Sequence, residues 1–302
     1  MDHAEQTQKI AAGQGFIAAL DQSGGSTPKA LKAYGVADDA WSNDTEMYAL
    51  IHAMRTRIIT APSFSSGKII GAILFERTMD GQIDGQPVPS VLTAQGVVPF
   101  LKIDKGLEDE ADGVQLMKPI PGLADLLARA KGLGVFGTKE RSVINSANAT
   151  GIAAIVKQQF AVAQEVLDAG LMPILEPETN IKSATRAECD ALLTSEILAA
   201  LNALPAGVKV MLKLSLPAVP GTYAPLIAHP AVLKVVALSG GYARAEACAE
   251  LAKNPGIIAS FSRALLDDLR VDMTDAQFDA TLGTAIDEIY AGSTVKSAPV
   301  AA

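Results

Sequence analysis

The chain has 302 residues, 49% of them hydrophobic, and a formal net charge of -8 at pH 7. That is enough apolar material for one large core, and an acidic balance without any Lys/Arg-rich block excludes a general nucleic-acid binder. No apolar run reaches the roughly 18 residues of a membrane span. The N-terminal MDHAEQTQKI lacks the apolar core of a signal peptide, and with only two cysteines, Cys189 and Cys248, the expected location is the cytoplasm. The three histidines, His3, His52 and His229, are not spaced with one another or with cysteine as metal ligands are, so neither a metal nor a cofactor is expected.

In chain order, eight short apolar runs each lead to a charged or small polar residue: GFIAALDQS, IIGAILFERT, VVPFLKID, GVFGTKER, LMPILEPE, VKVMLKLSL, VLKVVALSGG and GIIASFSRAL. Segments of helical period lie between them, the alternation of a parallel sheet with outer helices, and the pattern predicts a single (β/α)8 TIM barrel over residues 1–302. The first crossover, Ser23 to Lys68, has room for two helices, Thr27 to Tyr34 and Asp44 to Ile59. A helix is predicted from Gly151 to Ala169, with Thr150 as N-cap and Gly170 following it. Thr274 and Gln277 have capping-box spacing before a last helix that reaches Tyr290 and stops at Gly292. The tail 293–302, STVKSAPVAA, reads as mobile.

A charge at the end of a buried strand is costly unless something uses it. Lys213 lies inside its run, between Leu212 and Leu214, where desolvation lowers an amine's pKa towards the nucleophilic range; the alternative is an edge lysine reaching for water. Glu176 and Glu178 are two apart and share one side of their strand, placed for acid and base work or merely solvated at a loop mouth. Asp21 ends the first run as a turn cap or a general base. Lys102 and Lys139 end the third and fourth runs, and a second cation near Lys213 lowers its pKa further. What favours a site is the gathering of these charges at equivalent strand ends. Ser239, Gly240 and Gly241 end the seventh run and Arg263 the eighth, the position where barrels bind phosphate; a plain turn explains the glycines but not the arginine. A second anion site is read from Ser23 and Ser26 with Lys102 and Arg141. Two anion sites imply a substrate phosphorylated at both ends, and the mouth is expected to be cationic.

These motifs together resemble the bacterial branch of the class I fructose-1,6-bisphosphate aldolases. The resemblance rests on ALDQSGGS (19–26), ILFERT (73–78), LKIDKG (101–106), TKER (138–141), ILEPE (174–178), MLK (211–213), LSGG (238–241) and SFSRAL (260–265), in the family's order. It implies a Schiff base on Lys213 and proton transfer by Glu176, with Glu178 close behind. Asp21 would be the base for the C4 hydroxyl, and Lys139 the positive field around Lys213. Ser239, Gly240, Gly241 and Arg263 would hold the C1 phosphate, and Ser23, Ser26, Lys102 and Arg141 the C6 phosphate. It also implies a metal-independent lyase of glycolysis and gluconeogenesis, assembled as a homotetramer. The chain departs from the animal members, which have Glu where Gln22 stands, a basic pair where Lys29 and Ala30 stand, and a terminal tyrosine; here the last tyrosine is Tyr290, read as a packing residue. Other Schiff-base barrels (transaldolase-like or deoxyribose-phosphate aldolase-like), a metal-dependent aldolase, and a barrel that serves only as a binding partner are the competing readings.

Overall fold

A computed structural model describes residues 1–65 and 67–297. Eight parallel strands form the barrel: β1 (Phe16–Leu20), β2 (Ile69–Leu74), β3 (Val98–Lys102), β4 (Gly137–Ile144), β5 (Met172–Thr179), β6 (Val210–Ser215), β7 (Val232–Leu238) and β8 (Ile257–Ala259). Each pairs with the next in chain order. The seam between β8 and β1 is closed by the Ala19 N–H donating to the Phe261 carbonyl at 3.1 Å. This is the TIM barrel that the eight runs predict.

Strand alternation sorts the apolar residues into two separate cores. Ile17, Ala19, Ile73, Phe100, Ile174, Met211 and Val236 fill the barrel interior, while Ala18, Leu20, Leu101, Leu212 and Leu214 face the surrounding helices. The N-terminal helix His3–Ala12, started by a capping box between Asp2 and Glu5, sends Ile10 into the interior core and lays His3 against Phe136, with ring centroids 4.9 Å apart. It therefore seals the N-terminal end of the barrel. Above the apolar layers the inward positions become charged, and the site begins there.

Both helices of the first crossover are present, as Ser26–Ala33 and Asp44–Thr60. Three boundaries differ from expectation. The helix Ala149–Asp168 is capped by Asn148, whose Oδ1 accepts the Gly151 N–H at 3.0 Å, so Thr150 falls inside the first turn. The last helix runs Asp275–Thr294, past Gly292. That glycine answers to packing rather than termination: a Cβ there would meet Cys248 atoms at 3.1–3.2 Å. Nor is the start of the tail free. Lys296 Nζ donates to the carbonyls of Leu251, Ile257 and Gly292, and the Ser297 N–H to that of Ala252, so 293–297 is tied to the body. The rest of the predicted mobile tail, 298–302, lies outside the described residues.

On β4 the positions that alternate with Lys139 and Arg141 face the outer layer. Ser142 accepts from Gln159 of the Ala149–Asp168 helix at 2.5 Å, and Glu140 is fully buried with no ion pair among the described residues. Burial pushes its carboxyl well above the ordinary range, with Asp104 adding to that effect and Lys139 opposing it. A carboxyl with a raised folded pKa contributes stability below its unfolded pKa that is lost as pH rises towards the folded one. Glu140→Gln should therefore be close to wild type in urea midpoint near pH 4 and increasingly more stable between pH 5 and 8; a pH-independent difference would contradict the buried neutral acid.

Candidate active site

The carboxyl ends of the strands surround a cavity of about 880 Å3, a size suited to a small phosphorylated metabolite. Asp21 follows β1, Lys102 ends β3, Lys139 and Arg141 lie on β4, Glu176 and Glu178 on β5, and Lys213 on β6. Ser239 and Gly240 follow β7, and Arg263 opens a short helix after β8. Ser23 and Ser26 stand on the rim, where Ser26 Oγ accepts the Ser23 N–H at 2.8 Å. Of the residues singled out from sequence, only Gly241 is not on the cavity wall. It is exposed beside Arg263, whose Nη2 a Cβ there would approach to 3.3 Å, and its φ of +121° is conformational space that suits glycine.

Lys139 is the hub of a buried ion network. Its Nζ is 2.8 Å from Asp21 Oδ2, 2.8 Å from Glu176 Oε2 and 3.8 Å from Asp104 Oδ2. Glu176 also reaches Lys213, with Oε1 3.0 Å from Nζ, and so bridges two lysines with its two oxygens. Lys102 Nζ is 2.5 Å from Asp104 Oδ1, and Arg141 Nη1 is 3.0 Å from Glu178 Oε2. The register places Lys102 beside Lys139 and Arg141 beside Glu176, which brings these groups to one level.

The electrostatics follow from burial and these neighbours. Burial opposes ionisation of Asp21, but the positive charges of Lys139, Lys213 and Lys102 overcome it and hold the carboxyl far below the ordinary range. Burial likewise works against the Lys139 ammonium, and Asp21, Glu176 and Asp104 outweigh it, leaving this lysine firmly charged. Lys102 is pulled down by burial and by Lys139, with Asp104 resisting. For Arg141, burial is outweighed by Glu178, Glu176 and Asp104.

Two features escaped the sequence reading. Asp104, buried and bonded to three of the network's residues, stands in LKIDKG two places after Lys102; same-side spacing was the available signal. The mouth, expected to be cationic, also carries more carboxylates than were read from the sequence, and its formal excess is one positive charge. Its lining carries seven basic residues (Lys29, Lys102, Lys105, Lys139, Arg141, Lys213 and Arg263) against six carboxylates (Asp21, Glu76, Asp104, Glu176, Glu178 and Asp267). Among the described residues no group of three or more His, Cys, Asp or Glu could hold a metal ion, and no helix is long and apolar enough to cross a membrane.

A buried lysine sharing a carboxylate with a second, permanently charged lysine at the top of a parallel barrel defines the class: an imine-forming lyase barrel. The family described as "Fructose-bisphosphate aldolase class-I" matches residues 3–217. A fructose-bisphosphate aldolase class 1 of Porphyromonas gingivalis is 54% identical over 290 residues, covering 96% of this chain and 98% of that one. The chain belongs to the class I fructose-bisphosphate aldolases. Among solved structures, the Plasmodium falciparum fructose-bisphosphate aldolase, in complex with TRAP and an inhibitor, superposes with a TM-score of 0.78 at 21% identity, covering 98% of this chain and 95% of that one. A Corynebacterium glutamicum protein gives 0.51 at 14%, covering 96% and 92%. At these identities the two structures show the shared fold.

Removing the hub should leave Asp21 as a buried carboxylate without its ion pair and Glu176 with Lys213 alone. Lys139→Met is expected to cost about 3 kcal/mol of stability, read as a lower urea midpoint at pH 7, whereas Lys139→Arg should retain much of it. Equal midpoints for wild type and Lys139→Met would show that the network does not hold the mouth together.

Proposed function

We propose that the chain catalyses reversible cleavage of fructose 1,6-bisphosphate to dihydroxyacetone phosphate and glyceraldehyde 3-phosphate through a Schiff base on Lys213. The observation that carries this reading is the 3.0 Å contact between Lys213 Nζ and Glu176 within a cavity that Arg263 and the Ser23–Ser26 turn also line.

Lys213 must lose a proton before it can attack, and Glu176 is the acceptor within reach. The neutral amine adds to the C2 carbonyl to give a carbinolamine. Glu176 returns the proton to the departing hydroxyl, water leaves, and a protonated imine remains. Asp21, ionised at neutral pH, takes the C4 hydroxyl proton; the C3–C4 bond breaks, its electron pair flows to the iminium nitrogen, and the aldehyde departs from an enamine. Lys139 holds Asp21 and Glu176 in place through its two 2.8 Å contacts. Glu178 orients Arg141. Ser239, Gly240, Gly241 and Arg263 receive the C1 phosphate, and Ser23, Ser26, Lys102 and Arg141 the C6 phosphate. The same reading takes residues 1–302 as one cytoplasmic domain of a homotetramer that acts on a sugar bisphosphate, with no cofactor, metal, nucleic acid or membrane as partner.

Borohydride reduction in the presence of dihydroxyacetone phosphate should give a covalent adduct that peptide mapping places on Lys213, and Lys213→Ala should abolish both adduct and turnover. An unmodified Lys213 in an active enzyme would refute the mechanism. Activity is expected to survive a chelator. Arg141→Ala should raise KM for the bisphosphate about tenfold and leave KM for fructose 1-phosphate nearly unchanged; equal losses would overturn the C6 assignment.

A further inference from the structure

Glu76 opens the short helix Glu76–Met79 after β2, and Lys105 follows β3; both line the cavity, and their charged groups meet at 2.7 Å. Glu76 has a second cation. Arg129, on the helix Leu123–Gly132 and not on the cavity wall, reaches the other carboxylate oxygen and also stands 3.4 Å from Asp80. Burial opposes ionisation of Glu76, but Lys105 and Arg129 together overcome it and hold the carboxyl below the ordinary range. The carboxylate is therefore paired twice, and one partner can leave without stranding it.

The strands stand in chain order around the barrel, so this pair bridges the ends of β2 and β3, between the Ser23–Ser26 turn after β1 and Arg141 on β4. That interval is the side read above as the C6-phosphate site. The cations already assigned to it are committed elsewhere. Arg141 is the one ion partner of Glu178 among the described residues, and Lys102 is the near partner of buried Asp104, at 2.5 Å against 3.8 Å for Lys139. Turning either of them wholly to a phosphate would take a carboxylate's closest cation away. Lys105 has no such obligation. Its side chain is 37% exposed, and an ion pair so open to water contributes little, so exchanging it costs little. A phosphate offers this ammonium more oxygens and more charge than a carboxylate it already shares.

We propose that Lys105 is a specificity-determining residue for the bisphosphate: it yields Glu76 to Arg129 and takes the phosphate farther from the imine carbon. Glu76 parks the lysine on the wall until that phosphate arrives. The inference rests on the bisphosphate reading above. It differs from a purely structural role, in which the pair would only fasten the loop after β3 to the helix after β2, and removing either partner would have the same effect.

Two substitutions separate these roles, because the proposal gives them opposite signs. The quantity to follow is the ratio of KM for fructose 1,6-bisphosphate to KM for fructose 1-phosphate, which has no phosphate at C6. Lys105→Met removes the cation and leaves Glu76 with Arg129, so the ratio should rise about fivefold. Glu76→Gln frees Lys105 while Arg129 keeps Asp80, so the ratio should fall about twofold. Urea midpoints of both variants should stay near wild type, since both ion pairs reach solvent. The proposal is overturned if Lys105→Met leaves the ratio at its wild-type value, whatever the two KM values do separately, or if Glu76→Gln raises the ratio as Lys105→Met does. Should Lys105→Met fold poorly, Lys105→Gln repeats the loss of charge with a polar side chain. An Arg141→Ala enzyme that loses affinity for both substrates equally would instead defeat the C6 assignment on which the proposal rests.

Discussion

The ammonium of Lys139, buried among three carboxylates, is the interaction on which the mouth of this barrel depends. A lone buried cation at that depth would be costly, and without it Asp21 would lose its ion pair while Glu176 and Asp104 would each keep only one lysine. Together they form a lattice of alternating charge in which every member is held in place by the opposite sign. The geometry of Asp21 and Glu176 relative to Lys213 is therefore a property of the network rather than of single side chains. Glu176 has no freedom to swing away, because each of its oxygens is claimed by a different lysine. Preorganisation of this kind is what electrostatic catalysis requires, since dipoles already in place need not reorganise as charge develops.

That network can exist only because the strand alternation beneath it is strict. Ile17 and Ala19 point inward below Asp21, Ile174 below Glu176 and Met211 below Lys213, so each charged group stands on an apolar column. The columns exclude water from below and fix the height at which the charges emerge. The outward positions of the same strands meet the helices, and at Glu140 the two requirements collide: a residue in the outer layer carries a group that burial keeps neutral, a few ångströms of backbone away from the most firmly charged lysine in the molecule.

Much of this was legible in the sequence because period-two apolar runs and terminal charges are local signals. All eight strands follow from them, and so does the position of Lys213. Individual charges ending separate runs could be recognised as candidates; which of them touch could not, because the contacts join β1, β4, β5 and β6. Asp104 went unread for that reason, since an aspartate two places after a lysine looks like a turn until Lys139 is set beside it. Arg55 lies mid-helix in a sequence position that suggests solvent, and its burial against Gln22 after β1 and Thr78 after β2 is a long-range contact. The mouth was expected to be cationic because lysines and arginines stand out in apolar runs, whereas Glu76 opens a short helix after β2 and Asp267 ends another after β8. At the helix ends, Thr150 and Gly292 were each chemically suitable as a boundary. A better-placed Asn148 took the cap, and a close approach to Cys248 explains the glycine.

The helix His3–Ala12 packs beneath the barrel, and among the described residues the catalytic chamber lies at the opposite end, at the carboxyl ends of the strands. In the mechanism proposed above one half of the cleaved sugar stays tethered to Lys213, so the fragment without a tether has to depart before the other can be set loose. Synthesis run backwards inherits the same queue: the ketone must be seated and bonded first, and the aldehyde admitted afterwards over it. A floor of packed isoleucine and phenylalanine thereby adds a limit in space to the order in time that the covalent tether of the proposed mechanism sets.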